Sequence, residues 1–162
     1  MSRTSTILPA MSLALLLGWP AANAVAADDH AIVTTDTMKW EPIPILPSGA
    51  DWSMLSGSPA ESGPFTFRIR LPDGYVVPAH WHSMDETVTV ISGTFGLGMG
   101  EQADRSKVTP LSAGSYVHLP AKSPHYVVAT GQTVVQVSGT GPFDFNYVNP
   151  AEDPRTQVGS TK

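Results

Sequence analysis

From residue 64 onward the chain alternates between apolar and polar positions. Phe65, Phe67, Ile69 and Leu71 are separated by Thr66, Arg68 and Arg70, the period-two pattern of a strand with one buried face. Further β-rich runs follow at residues 75–82, 86–91, 94–99, 116–119, 125–129, 133–137 and 143–148. Turn signals separate most of them: Pro72-Asp73-Gly74, Ser92-Gly93, Ala113-Gly114, Thr130-Gly131 and residues 139–142. Residues 40–47 hold three prolines, which forbids a helix and predicts an extended edge segment. No window beyond residue 27 carries a clean helical period. The pattern predicts one all-β barrel or sandwich over residues 38–149, with a polar tail at 150–162 that frays.

The first 26 residues break the pattern. Arg3 precedes an apolar run from Met11 to Trp19, and two small-residue sites follow, Ala22-Asn23-Ala24 and Ala24-Val25-Ala26. That order predicts a secretory signal peptide over residues 1–26, cleaved after Ala24 or Ala26, and hence a periplasmic or secreted protein. The run falls short of the roughly 20 residues a spanning helix needs, so no stable membrane anchor is expected.

Composition narrows the function classes. The chain has 162 residues with 41% hydrophobic side chains, enough for one core, and its 15 prolines and 14 glycines suit a turn-rich fold. It contains no cysteine, which removes disulfides, thiolate metal sites and cysteine nucleophiles. A net charge of −5 gives no support for binding nucleic acid. The glycines at 96, 98 and 100 lack the spacing of a dinucleotide loop, and no helix is predicted after them.

The histidines carry the chemistry. His80 and His82 flank Trp81, and in a strand residues i and i+2 share a face, about 6.6 Å apart along the chain. Two imidazoles at that spacing can converge on one metal ion. Glu86 opens the next apolar run and can return a carboxylate to the same site, while His125 begins a distant strand after residues 120–124.

The spacing Gly74-x5-His80-Trp81-His82-x3-Glu86-x6-Gly93, followed by Gly114-x5-Pro120-x4-His125, resembles the two motifs of the cupin superfamily. The resemblance implies a small double-stranded β-helix (jelly-roll) barrel, usually dimeric, with one divalent transition metal ion per chain held by His80, His82, Glu86 and His125. Two positions depart from the pattern. Lys122 stands where glycine is expected, which bears on the shape of that loop, and Ala129 stands where asparagine is common, which removes a polar group. Three imidazoles and one carboxylate suit Fe, Mn, Zn, Ni or Cu. Such a set leaves positions open for water, dioxygen or substrate.

His118 and Tyr116 share strand parity, and either can line the cavity beyond the metal as an acid/base group; a hydrogen-bonded strand histidine is the competing reading. His30 reads as solvated and Asp85 as solvent-facing. Arg68 and Arg70 read as outward-facing rather than as a carboxylate clamp, and Trp40, Trp52 and Trp81 as core or subunit-interface aromatics. The expected function is that of an exported, metal-dependent enzyme of dioxygenase, isomerase or lyase type acting on a small molecule, with a homodimer as its working form. The alternative is a non-catalytic metal or small-ligand binding or sensor module, because residues 40–57 are similar to single-domain cupins related to anti-sigma sensor domains. A metal-stabilised structural protein is a third reading.

Overall fold

The computed structural model describes residues 31–157, so the expected signal peptide and His30 lie outside the described residues. Nine strands are found among them: β1 (Glu41–Pro42), β2 (Asp51–Ser56), β3 (Gly63–Leu71), β4 (Val76–Trp81), β5 (Glu86–Met99), β6 (Thr109–Ser112), β7 (Tyr116–Leu119), β8 (His125–Gly141) and β9 (Asn146–Tyr147). The alternation at residues 65–71 becomes the pleat of β3, with Phe65, Phe67 and Leu71 buried.

All pairings are antiparallel. The order β1-β2-β3-β8-β4-β9 forms one path, and β5 pairs with β6, β7 and β8. The sheet curls into the expected jelly-roll barrel around a core that includes Phe65, Leu71, Val88, Val90, Val135 and Val137. Each such side chain contributes roughly 1.5–3 kcal/mol when fully buried. β8 is the hub, with its C-terminal half on β3, its N-terminal end on β4, and β5 alongside from Met99↔His125 to Glu86↔Gly139.

Two pairs of runs that the turn signals separate are single long strands. Ser92-Gly93 lies inside β5 and Thr130-Gly131 inside β8. In β5 the register shifts on either side of Ser92. Glu86, Val88 and Val90 are buried before the shift and Phe95 and Leu97 after it, so the inward parity flips. Such a bulge re-aims a strand where it rounds a barrel. Gly93 adopts φ 76, and a Cβ there would lie 2.5 Å from the Gln132 carbonyl oxygen. The glycines at 96 and 98 serve packing, since a Cβ on Gly98 would lie 2.0 Å from Tyr126 Cζ. β2 and β6 lie outside the β-rich runs of the sequence. The run at 143–148 forms only the two-residue β9.

Candidate metal centre

Strand β4 delivers His80 and His82 to the barrel interior through a bulge. Its register on β8 shifts between Val77 and His80, a stretch that includes Pro78, which has no N–H to lose from the ladder. Val77 faces the cavity before the shift and His80 and His82 after it. Glu86 is the first residue of β5 and His125 the first of β8, paired directly with His80. All four are buried: His80 4%, His82 4%, Glu86 8% and His125 2% exposed.

One ligand atom from each of His80, His82 and His125 lies within 4.8 Å of the other two. Glu86 stands just outside that trio, its Oε2 3.4 Å from His82 Nε2 and 3.4 Å from His125 Nε2. Neither approach has hydrogen-bond geometry. Among the described residues, His82 Nε2 and Glu86 Oε2 are the buried side-chain polar atoms without a hydrogen-bond partner. Buried polar groups are ordinarily satisfied, so two facing orphans fit a cation held between them.

The outer ring nitrogens are all engaged. His80 Nδ1 meets the Pro78 carbonyl at 2.7 Å, His82 Nδ1 the Asp144 carbonyl at 2.5 Å, and His125 Nδ1 the Ser123 carbonyl at 3.0 Å. A carbonyl can only accept, so in the neutral ring each Nδ1 carries the proton and each Nε2 presents a lone pair to the centre. This is the arrangement that orients metal-binding imidazoles.

The electrostatics agree. Burial, reinforced by His125 and His82, pushes His80 well below its ordinary range and keeps it neutral. Burial also opposes charge on His82, but the neighbouring Glu86 outweighs it and raises that imidazole. Burial opposes ionisation of Glu86 as well; contacts with His125 and His82 overcome it and hold the carboxyl well below its usual range. An ionised carboxylate among inward lone pairs is what a divalent cation requires.

Phe143 and Phe145 complete the setting. Phe143 stacks on His82 with centroids 4.2 Å apart, and Phe145 on His80 at 4.1 Å. Between them Asp144 accepts from the Ser83 N–H at 2.7 Å, and its own carbonyl holds His82. Phe143 and Phe145 fall in the β-rich run at 143–148, whose period-two spacing is the one sequence signal that puts both rings on one side.

The family model of the ChrR Cupin-like domain matches residues 28–144. The chain belongs to this cupin family. Its fold is also that of solved cupins. The polyketide cyclase RemF from Streptomyces resistomycificus superposes with a TM-score of 0.65 at 19% identity, over 80% of this chain and 92% of that one. An acetylacetone dioxygenase from Acinetobacter johnsonii gives 0.58 at 18% identity, over 74% and 78%. An RmlC-like cupin from Shewanella frigidimarina gives 0.55 at 17% identity, over 67% and 87%. No curated protein matches the sequence.

The cupin departs from expectation at β7. Tyr116 is 62% exposed and His118 is also exposed, so neither lines the cavity. Leu119 pairs with Glu86, which faces inward, and this turns Val117 and Leu119 inward and Tyr116 and His118 outward. His118 Nε2 lies 3.2 Å from Asp85 Oδ2 on the outer surface. Arg68 and Arg70 line no part of the cavity: Arg70 pairs with Asp51 at 2.7 Å and covers the Trp40 ring, and Arg68 donates to Gln136. Trp52 packs edge-on against Phe67 and lines the cavity.

Lys122 adopts φ 61, the left-handed conformation glycine favours, and its N–H donates to the His82 carbonyl at 2.7 Å. The loop therefore takes up a glycine-like conformation without the glycine. Ala129 is 1% exposed within the apolar core. The cavity around the centre measures about 260 Å³, at the small end for ligand sites.

Proposed function

We propose that this cupin is an exported metalloprotein that holds one divalent transition ion through His80, His82, His125 and Glu86 and acts as a dioxygenase-type enzyme on a small molecule. The observation that carries the metal is the pair of facing buried orphans, His82 Nε2 and Glu86 Oε2, among imidazoles already committed through Nδ1. When bound, a redox-active ion with open positions supplies dioxygen chemistry. The chain's residues orient that ion and exclude water with an apolar wall. With His118 and Tyr116 outside, the wall offers, among the described residues, no acid/base group beyond the four donors and the exposed Asp144. Proton-shuttling isomerase or lyase chemistry therefore has less to work with. The acetylacetone dioxygenase that shares the fold supports this reading by analogy.

Export rests on the pattern of residues 1–26. A homodimer is favoured by the open edge of β1, beside which Ile32, Val33 and Met54 are exposed.

The same paucity of acid/base groups also favours a non-catalytic binding module. One experiment separates the two. Protein purified from the periplasm is analysed for metal, then loaded with Fe(II) and tested for dioxygen uptake with a panel of neutral carbonyl compounds. One ion per chain with uptake supports the enzyme, and one ion with tight ligand binding but no uptake supports the module. Absence of bound metal overturns both.

A further inference from the structure

The wall of the cavity says what kind of molecule the centre receives. Beyond the four donors it is built from side chains such as Trp52, Phe67, Ile69, Leu71, Val135 and Val137. No Lys or Arg, and no hydroxyl side chain, lines it among the described residues. The other ionisable liner among the described residues, Asp144, is exposed, and its Oδ1 accepts from the Ser83 N–H. Two hydroxyls that pack near the cavity are also committed: Tyr75 donates to the Pro47 carbonyl and Tyr147 to the Ile45 carbonyl. The two arginines of β3 are engaged away from the cavity.

We infer that the ligand of this site is an uncharged, largely apolar molecule whose polar donor atoms are confined to the end that meets the histidines. A charge or sugar-like hydroxyl array elsewhere on the molecule would meet no side-chain partner beyond the single indole N–H of Trp52 and the rim carboxylate of Asp144, and an unpaired buried charge is strongly disfavoured. Apolar groups in the same place gain from leaving water. A metal bound by His80, His82, His125 and Glu86 can compensate a polar group at one end only. The inference rests on the metal-centre reading, because that centre supplies the single polar anchor.

The test uses two probes that differ only at the far end: heptane-2,4-dione and 4,6-dioxoheptanoate, in which the terminal methyl of the dione is a carboxylate. Uptake of Zn(II), a redox-silent ion, by the full chain is measured first by calorimetry. Binding of each probe to the Zn(II)-loaded protein is then followed by calorimetry and by tryptophan fluorescence, since Trp52 lines the cavity. The dione is expected to bind at least tenfold more tightly than the carboxylate. In Ile69→Lys, checked for folding by circular dichroism, the new cation narrows or reverses that preference; if that variant does not fold, the wild-type comparison stands alone. Equal binding, tighter binding of the carboxylate, or binding of neither probe overturns the inference while leaving the metal centre intact. Failure to take up Zn(II) overturns the metal centre instead. The probes are then compared on the metal-free protein, where loss of the preference for the dione overturns the inference separately.

Discussion

Phe145 lies flat on His80, with ring centroids 4.1 Å apart and planes 11° from parallel. With His80 Nδ1 held by the Pro78 carbonyl, the imidazole is fixed both in its plane and across it. Outer contacts of this kind typically change metal affinity 10–100-fold. Phe145→Leu keeps apolar cover but loses the flat face, and is expected to weaken metal binding about tenfold. Competition with a chelator of known affinity checks this, and unchanged affinity would show that the stacking is cover rather than positioning.

His80 and His82 were legible as a pair because strand period alone puts i and i+2 on one face. Their meeting with Glu86 and His125 was legible only through motif spacing, since it depends on pairing across the barrel. Parity at β7 was not legible. Tyr116 and His118 clearly share a face, but which face is fixed by the pairing of Leu119 with Glu86, a long-range fact. The bulges between Val77 and His80 and around Ser92 reverse parity inside a strand, so period counting through them fails. Phe143 and Phe145 sit in a segment with almost no ladder, where their role comes from the rings they cover.

The placement of the histidines separates ligands from bystanders. His80→Ala, His82→Ala and His125→Ala each remove an inward Nε2 and are expected to lower metal affinity more than about 100-fold, beyond the effect of an outer contact. His118→Ala removes only an exposed contact with Asp85 and is expected to leave metal uptake within about twofold of wild type, as for other exposed pairs. Elemental analysis after dialysis reads the difference. Loss of metal in the His118 variant would contradict the assignment.

Metal binding has a definite pH direction. His82 is raised above the ordinary 6.5 by Glu86 and must lose its proton to bind a cation, whereas His80 is already neutral and Glu86 already ionised. Binding is therefore complete well above pH 6.5 and weakens on acidification, with the loss beginning above 6.5 rather than below it. Glu86→Gln removes the charge that holds the proton on His82 and is expected to move the midpoint to lower pH. Zn(II) affinity measured across pH by competition gives both midpoints, and an unmoved midpoint sinks the role given to Glu86.

Lys122 occupies the left-handed region at φ 61 and donates its N–H to the His82 carbonyl. A side chain with a Cβ costs roughly 1–2 kcal/mol there, partly offset by the greater unfolded-state freedom of glycine. Lys122→Gly is expected to raise stability by about 1 kcal/mol with metal affinity retained. Urea unfolding of the metal-free protein measures the change, and a destabilised variant would mean that the Lys side chain makes a contact worth more than the backbone relief.

Gly98 lies opposite Tyr126 across the β5–β8 ladder, and a Cβ there would sit 2.0 Å from Cζ and 2.5 Å from the hydroxyl. The ring cannot easily swing aside, because it is 1% exposed and its hydroxyl donates to the Asp104 carbonyl at 3.0 Å. Overpacking at such a site typically costs about 1–3 kcal/mol. Gly98→Ala is therefore expected to lose stability in that range, chiefly by forcing the ring off the Asp104 carbonyl. In a Tyr126→Leu background the obstructing ring atoms are gone, so the same substitution should cost much less, a coupling of about 0.5–3 kcal/mol. Urea unfolding of the two single variants and the double variant completes the cycle. Additive losses would mean that the glycine is required by the backbone of β5 rather than by Tyr126.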